Sequence, residues 1–147
     1  MSSAFVIVSA AVKAKLLEAP ALAGGFVKRG RAIPLPAELD EGLFVRIERT
    51  VGSGGTLGVT DWDTAIAVEG VKRVPPGTDS DDAIDPLLAA TYERLRNAVG
   101  IAAGVMDIVP DPEIRWEVAE ADDTLVGFVL LLRVNHRTGG TDLNPLS

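Results

Sequence analysis

The chain contains no cysteine. Disulfides, thiolate metal sites and cysteine nucleophiles are therefore excluded, and the composition suits a reducing compartment. Histidine occurs once, as His136. A zinc site would have to add carboxylates to that single imidazole. One histidine is enough for a serine–histidine–aspartate arrangement, but no serine stands in a nucleophile-elbow motif. Aromatic residues make up only 5% of the chain. No apolar run reaches the roughly 18–20 residues that a membrane-spanning helix needs. Positive charge is also scarce: 14 Lys and Arg face 21 Asp and Glu, a formal net charge of −7. An acidic surface repels a phosphate backbone. Neither a membrane nor sequence-specific nucleic acid is expected as a partner. The apolar stretch from Phe5 to Val12 has no basic residue before it, and Lys13 and Lys15 follow it. That is the reverse of a signal peptide's charge order, so a cytoplasmic location is expected.

What the chain has in excess is aliphatic surface. Apolar residues make up 47% of its 147 positions, and the mean hydropathy is +0.24. The length favours one domain spanning 1–147. A chain of this size buries about 68–70% of its unfolded surface, enough for a core without staples. Surplus Ala, Val and Leu fit either buried contacts between subunits or an alanine-rich genome, and both readings stay open.

Periodicity predicts helices and strands in alternation. Residues 3–19 read as an amphipathic helix with Phe5, Val8, Val12, Lys15 and Leu16 near one stripe, capped by Ser2 or Ser3 and stopped by Pro20. Phe26 to Arg29 is a short strand, followed by a proline-bearing loop over 30–42. Leu43 to Thr50 alternates, with Leu43, Val45 and Ile47 on one face and Phe44, Arg46 and Glu48 on the other. A glycine-rich connection over 51–60 leads to a second alternating strand, Trp62 to Lys72, so the pair reads as a long hairpin. A second helix runs to about Val99, with Ile84, Leu87, Leu88, Thr91, Tyr92 and Leu95 forming its core stripe. Pro86 leaves two starts open: near Asp79, with the proline inside the helix, or at Asp85, with the proline in the first position. Val105 to Val118 and Thr124 to Arg137 are the last strands, separated by an acidic turn at 120–123. The run from Leu125 to Leu132 is apolar on both faces, which marks a strand covered on both sides. The tail from Thr138 to Ser147 reads as loose. The fold class is α+β: two helices on an antiparallel or mixed sheet, in the order α-β-β-β-α-β-β.

Few residues suggest chemistry. His136 falls near a strand end and reads as structural or interfacial. The acidic run from Thr78 to Asp82 lacks the glycine and the final carboxylate of a calcium loop and reads as helix capping. Asp61 and Asp63, two apart, share a sheet face; paired carboxylates can do acid–base work or hold a divalent ion, but solvated charge at a strand start accounts for them as well. Gly52, Gly54, Gly55 and Leu57 form a flexible hairpin tip, not a phosphate loop, because no Lys-Ser or Lys-Thr follows. Such a tip can order on meeting a partner. Lys28, Arg29 and Arg31 cluster early, and Arg133, His136 and Arg137 cluster late. Trp62 and Trp116 alternate with polar neighbours and read as core. No catalytic residue, metal site or cofactor emerges.

These features fall into one order: a first helix closing on residues 19–25, a basic strand and proline loop over 27–36, a hairpin carrying Asp61, Trp62 and Asp63, an aspartate-rich helix start, and a closing strand over 132–138. Over nearly the whole chain this layout resembles the tail terminator (minor tail protein U-like) family of long-tailed phages and prophages. The resemblance implies a small subunit that forms a homohexameric ring on the end of the tail tube, stops its growth and offers a surface to the head-side connector protein. It implies no catalysis and no cofactor. The place implied is the host bacterial cytoplasm during assembly and then the virion tail. The contact regions would be the start of the proline loop, the hairpin tip and the end of the last strand. Other neck or tail-completion proteins share such a layout. A small ligand-binding or enzymatic module using Asp61, Asp63 and His136 is the rival from a different class.

Overall fold

The computed structural model describes residues 2–30, 35–54, 58–98, 100–118 and 124–146. Among these residues five strands form one mixed sheet: β1 (Val27–Arg29), β2 (Glu41–Gly54), β3 (Val59–Val74), β4 (Val105–Val118) and β5 (Thr124–Gly139). Their order is β1-β2-β3-β5-β4. Only β1 and β2 run parallel; the remaining neighbours are antiparallel. Two helices, α1 (Ala4–Leu17) and α2 (Ser80–Leu95), contribute to the core on one face. The element order and the α+β class agree with the sequence reading.

Alternation decides which side chains meet the helices. Leu43 and Val45 of β2, Ile66 and Val68 of β3, and Phe128, Leu130, Leu132 and Val134 of β5 are buried in one cluster with Val8, Val12 and Leu16 of α1 and Ile84, Leu87, Leu88 and Leu95 of α2. Burial of each large aliphatic side chain contributes about 1.5–3 kcal/mol before entropy is counted. On α2 the expected stripe holds except at Tyr92, which is 40% exposed. α2 begins at Ser80, so Pro86 lies inside it.

Among the described residues the opposite face is covered at one end. There Phe44, Ala67, Glu69, Val71 and Val129 are buried. The segment before β2 crosses this end: the backbone N–H of Arg73 donates to the Asp40 carbonyl (2.7 Å), and its guanidinium donates to the Pro36 carbonyl (3.4 Å). A Cβ at Gly42 would lie 2.8 Å from the Phe26 ring, so the glycine seats that ring. Glu69 is buried beside Arg46, which donates to it at 2.8 Å and also pairs with Glu48 at 2.9 Å.

Two more glycines seat aromatic rings across a strand pair. Gly70 lies opposite Phe128, and Gly52 opposite Trp62. A Cβ at Gly70 would stand 2.2 Å from Phe128 Cε2, and one at Gly52 would stand 2.8 Å from Trp62 Cζ3. Covering a strand glycine with a cross-strand ring restores packing that the missing side chain forfeits.

Arg94 of α2 fixes the end of α1. Its guanidinium donates to the carbonyls of Lys15 (3.0 Å), Leu16 (3.4 Å), Glu18 (2.9 Å) and Pro20 (2.8 Å). A helix C-terminus leaves such carbonyls without intrahelical partners and carries partial negative charge. The start of α1 is held by the tail, where the Ala4 N–H donates to the Leu143 carbonyl at 2.7 Å. Residues 138–146, read from sequence as loose, are tied in: Thr138 and Gly139 belong to β5, Thr138 bridges to Pro145, and the Leu146 N–H donates to the Arg137 carbonyl. Gly104 has φ +79, and a Cβ there would meet the Leu146 carbonyl at 2.8 Å, so the tail passes where only glycine leaves room.

Candidate assembly surface

The hairpin β2–β3 is longer than its sequence pattern suggested. Pairing continues through Gly52↔Trp62 and Gly54↔Thr60, so the expected connection over 51–60 contracts to a few residues. Gly52 and Gly54 are ladder positions. Gly55 and Leu57 lie outside the described residues, as does Arg31.

The late basic cluster divides between the two faces of the sheet. His136 points toward the helices and is 1% exposed. Its Nε2 shares a 2.7 Å hydrogen bond with Thr64 Oγ1, and Phe5 of α1 packs edge-on against it at 5.4 Å. Nδ1 has no hydrogen-bond partner among the described residues. Burial pushes the imidazole pKa below its ordinary value of 6.5, because a charged ring would lose its hydration. Trp62 joins this cluster at 5.0 Å from Phe5 and donates its indole N–H to Thr138 Oγ1 at 2.9 Å.

Arg133 and Arg137 point to the other, open face, where each meets an aspartate of β3. Arg137 donates to Asp61 at 2.6 Å, and Arg133 pairs with Asp63. The carboxylate's hydrogen bond and charge raise the Arg133 pKa above its ordinary value. Asp61 and Asp63 do share a face, as their spacing implied, but each is committed to a guanidinium. That arrangement offers no free base beside an acid. Among the described residues no group of three or more His, Asp or Glu converges as a metal site. At the acidic start of α2, Asp79 occupies the cap position without a side-chain cap bond, and Asp81 and Asp82 fill the first turn, where negative charge is favoured by the helix dipole.

Lys28 and Arg29 are exposed on β1. Lys28 lies over the Phe26 ring at 5.4 Å. β1 covers β2 only from Leu43 to Val45, so among the described residues the outer edge of β2 from Arg46 onward pairs with no strand. At the other side of the sheet, β4 is the last strand. Large apolar side chains gather on these two strands: Ile47 and Val51 on β2 are 38% and 53% exposed, and Met106, Val109 and Trp116 on β4 are 44%, 49% and 52% exposed. Trp116 therefore corrects the expectation of core packing. It stands opposite Phe128 on the helix side, next to the start of α2, but the strand is the outermost one and leaves half the ring in solvent. The signal was present in Pro110 and Pro112, since prolines inside a strand mark an edge.

No protein-family profile matches the chain, and no curated protein sequence matches it. Among solved structures, the chain is similar to a subunit described as the sheath/tube terminator of an extracellular contractile injection system (PVC) in its extended state, at 10% sequence identity and a TM-score of 0.36 over 100% of this chain. The chain spans 62% of the length of that subunit. Among the described residues no helix is long and apolar enough to cross a membrane.

Proposed function

We propose that this chain is a structural tail terminator subunit. Copies close into a ring on the end of a phage or prophage tail tube, stop its growth and present a surface to the head-side connector. The partners in this reading are further copies of the chain, the tube protein and the connector. The reading needs neither an active site nor a cofactor. The observation that supports it is the placement of exposed aliphatic and aromatic side chains on the outer strands of the sheet. Residues of that kind gather where a monomer would be expected to carry charge, and two such edges on one subunit suit head-to-tail contacts that close when the rotation per copy matches. The structural reading is also favoured over the enzymatic rival by the separation of that rival's three residues: Asp61 and Asp63 are ion-paired on one face of the sheet, and His136 is buried on the other.

Electron microscopy of the purified protein, alone and with tail tubes, tests the reading. Rings with a central hole, seated at tube ends, are expected. A particle that stays monomeric and leaves tube ends bare would overturn it.

A further inference from the structure

The two outer edges of the sheet differ in charge as well as sharing apolar residues. On the β1–β2 side, Lys28, Arg29 and Arg49 are exposed, and among the described residues none of them has a carboxylate partner. The acidic residues near them on β2 are engaged: Glu48 pairs with Arg46, and Glu41 with Lys72 at 4.0 Å. On β4, Asp107, Glu113 and Glu117 are exposed and form no ion pair among the described residues, with Arg115 the single base of that strand. Each edge also carries an apolar side chain on each sheet face. Ile47 and Trp116 lie on the helix side, and Val51 and Val109 on the open side.

We infer that the partner of each edge is the opposite edge of a second copy of this chain: the basic β1–β2 edge of one subunit seats against the acidic β4 edge of the next. The inference rests on the self-assembly proposed above and assigns the surfaces that perform it. Complementary potentials favour this head-to-tail register and disfavour the like-edge contacts of a twofold dimer, because basic would then meet basic and acidic meet acidic. The net charge of −7 opposes close approach of copies in general, so opposite charge at the contact itself is what selects the approach. The contact is made by side chains and is not a continued sheet. Pro110 and Pro112 lack backbone donors, and pairing is irregular between Pro110 and Ile114 of β4 and between Ile47 and Arg49 of β2. Those features blunt strand addition.

Charge-reversed variants test the assignment. Arg29→Glu with Arg49→Glu makes both edges acidic, and Asp107→Lys with Glu117→Lys makes both edges basic. All four positions are exposed, and circular dichroism checks that each variant folds. In sedimentation velocity at low salt, each variant alone is expected to lose self-association by at least roughly tenfold. An equimolar mixture of the two should associate again, with strict alternation. Should a reversed variant fail to fold, the neutral versions (Arg29→Gln with Arg49→Gln, and Asp107→Asn with Glu117→Gln) are expected to weaken self-association and to gain nothing from mixing. If the wild type assembles and every variant assembles equally well, the edge assignment falls while the ring reading stands. If neither the wild type nor the mixture associates, both fall.

Discussion

Replacing Gly70 by alanine probes how tightly the centre of the sheet is closed. The added methyl carbon would stand 2.2 Å from Cε2 and 2.4 Å from Cζ of Phe128, whereas carbon atoms in good contact are roughly 3.5–4.0 Å apart. Phe128 is 0% exposed, so its ring cannot turn aside without pushing on neighbours. Overpacking of this kind costs about 1–3 kcal/mol. Alanine recovers about 0.4–1 kcal/mol by stiffening the unfolded chain; an approach this close places the overpacking cost near the top of its range, so the net loss is about 2 kcal/mol. The cause can be isolated with a double-mutant cycle. Phe128→Leu removes the atoms that collide, at a cost of its own of up to about 3 kcal/mol. In that background Gly70→Ala should cost less by about 1 kcal/mol, a coupling in the range found for residues in contact. Urea unfolding of the four proteins, followed by tryptophan fluorescence, gives the required differences. Costs that add within about 0.5 kcal/mol, the behaviour of distant sites, would refute the idea that Gly70 is glycine because of the ring above it.

Arg94→Met should lose about 1.5–3 kcal/mol, the range for hydrogen bonds to a charged group. Arg94→Lys should recover only part of it, because an ammonium cannot span carbonyls from Lys15 to Pro20 as the planar fork does; urea midpoints at constant slope check both. The His136 pKa is lowered in the fold, so the unfolded chain binds its proton more tightly. Its contribution is therefore fully present above the unfolded value near 6.5 and is lost as pH falls from there through the folded value. The stability difference between wild type and His136→Gln should shrink over that window, and a pH-independent difference would contradict it. Asp61→Asn breaks an exposed pair with Arg137 and should change stability by less than about 1 kcal/mol; a larger loss in thermal unfolding would mean that the open face is ordered by that pair.

Periodicity carried the sequence reading where side chains alternate against a single core. Val68, Ile66, Leu130 and Leu132 announce their strands, and Ile84, Leu87, Leu88 and Leu95 announce α2, because burial on one face imposes the pattern. Where local pattern does not decide the structure, the deciding partner is remote. The hairpin extends through Gly52 because Trp62, on the other strand, lies over it. The tail is tied down because Gly104 lets it pass beside Arg137. Pro86 sits within α2, so the helix start could not be fixed from the proline alone. At the surface, charge marks Lys28 and Arg29, and nearness in sequence groups His136 with Arg133 and Arg137. Strand alternation places His136 on the opposite face, and a strict period-2 count along β5 already separates them. The apolar side chains of β4 were harder to place, since the residues around Pro110 follow no single period.

The attachment of α1 has a kinetic meaning. Its first residue hydrogen-bonds to the carbonyl of Leu143, and its last turn is held by Arg94. Both anchors are distant in sequence, and contacts of that span are slow to form because a long loop must close before they return anything. Of the two helices, the one made earlier is thus secured at both ends only after α2 and the residues up to Leu143 have followed. Until then Val8, Val12 and Leu16 have an incomplete sheet to cover, and the nascent chain exposes the surface that the finished fold hides.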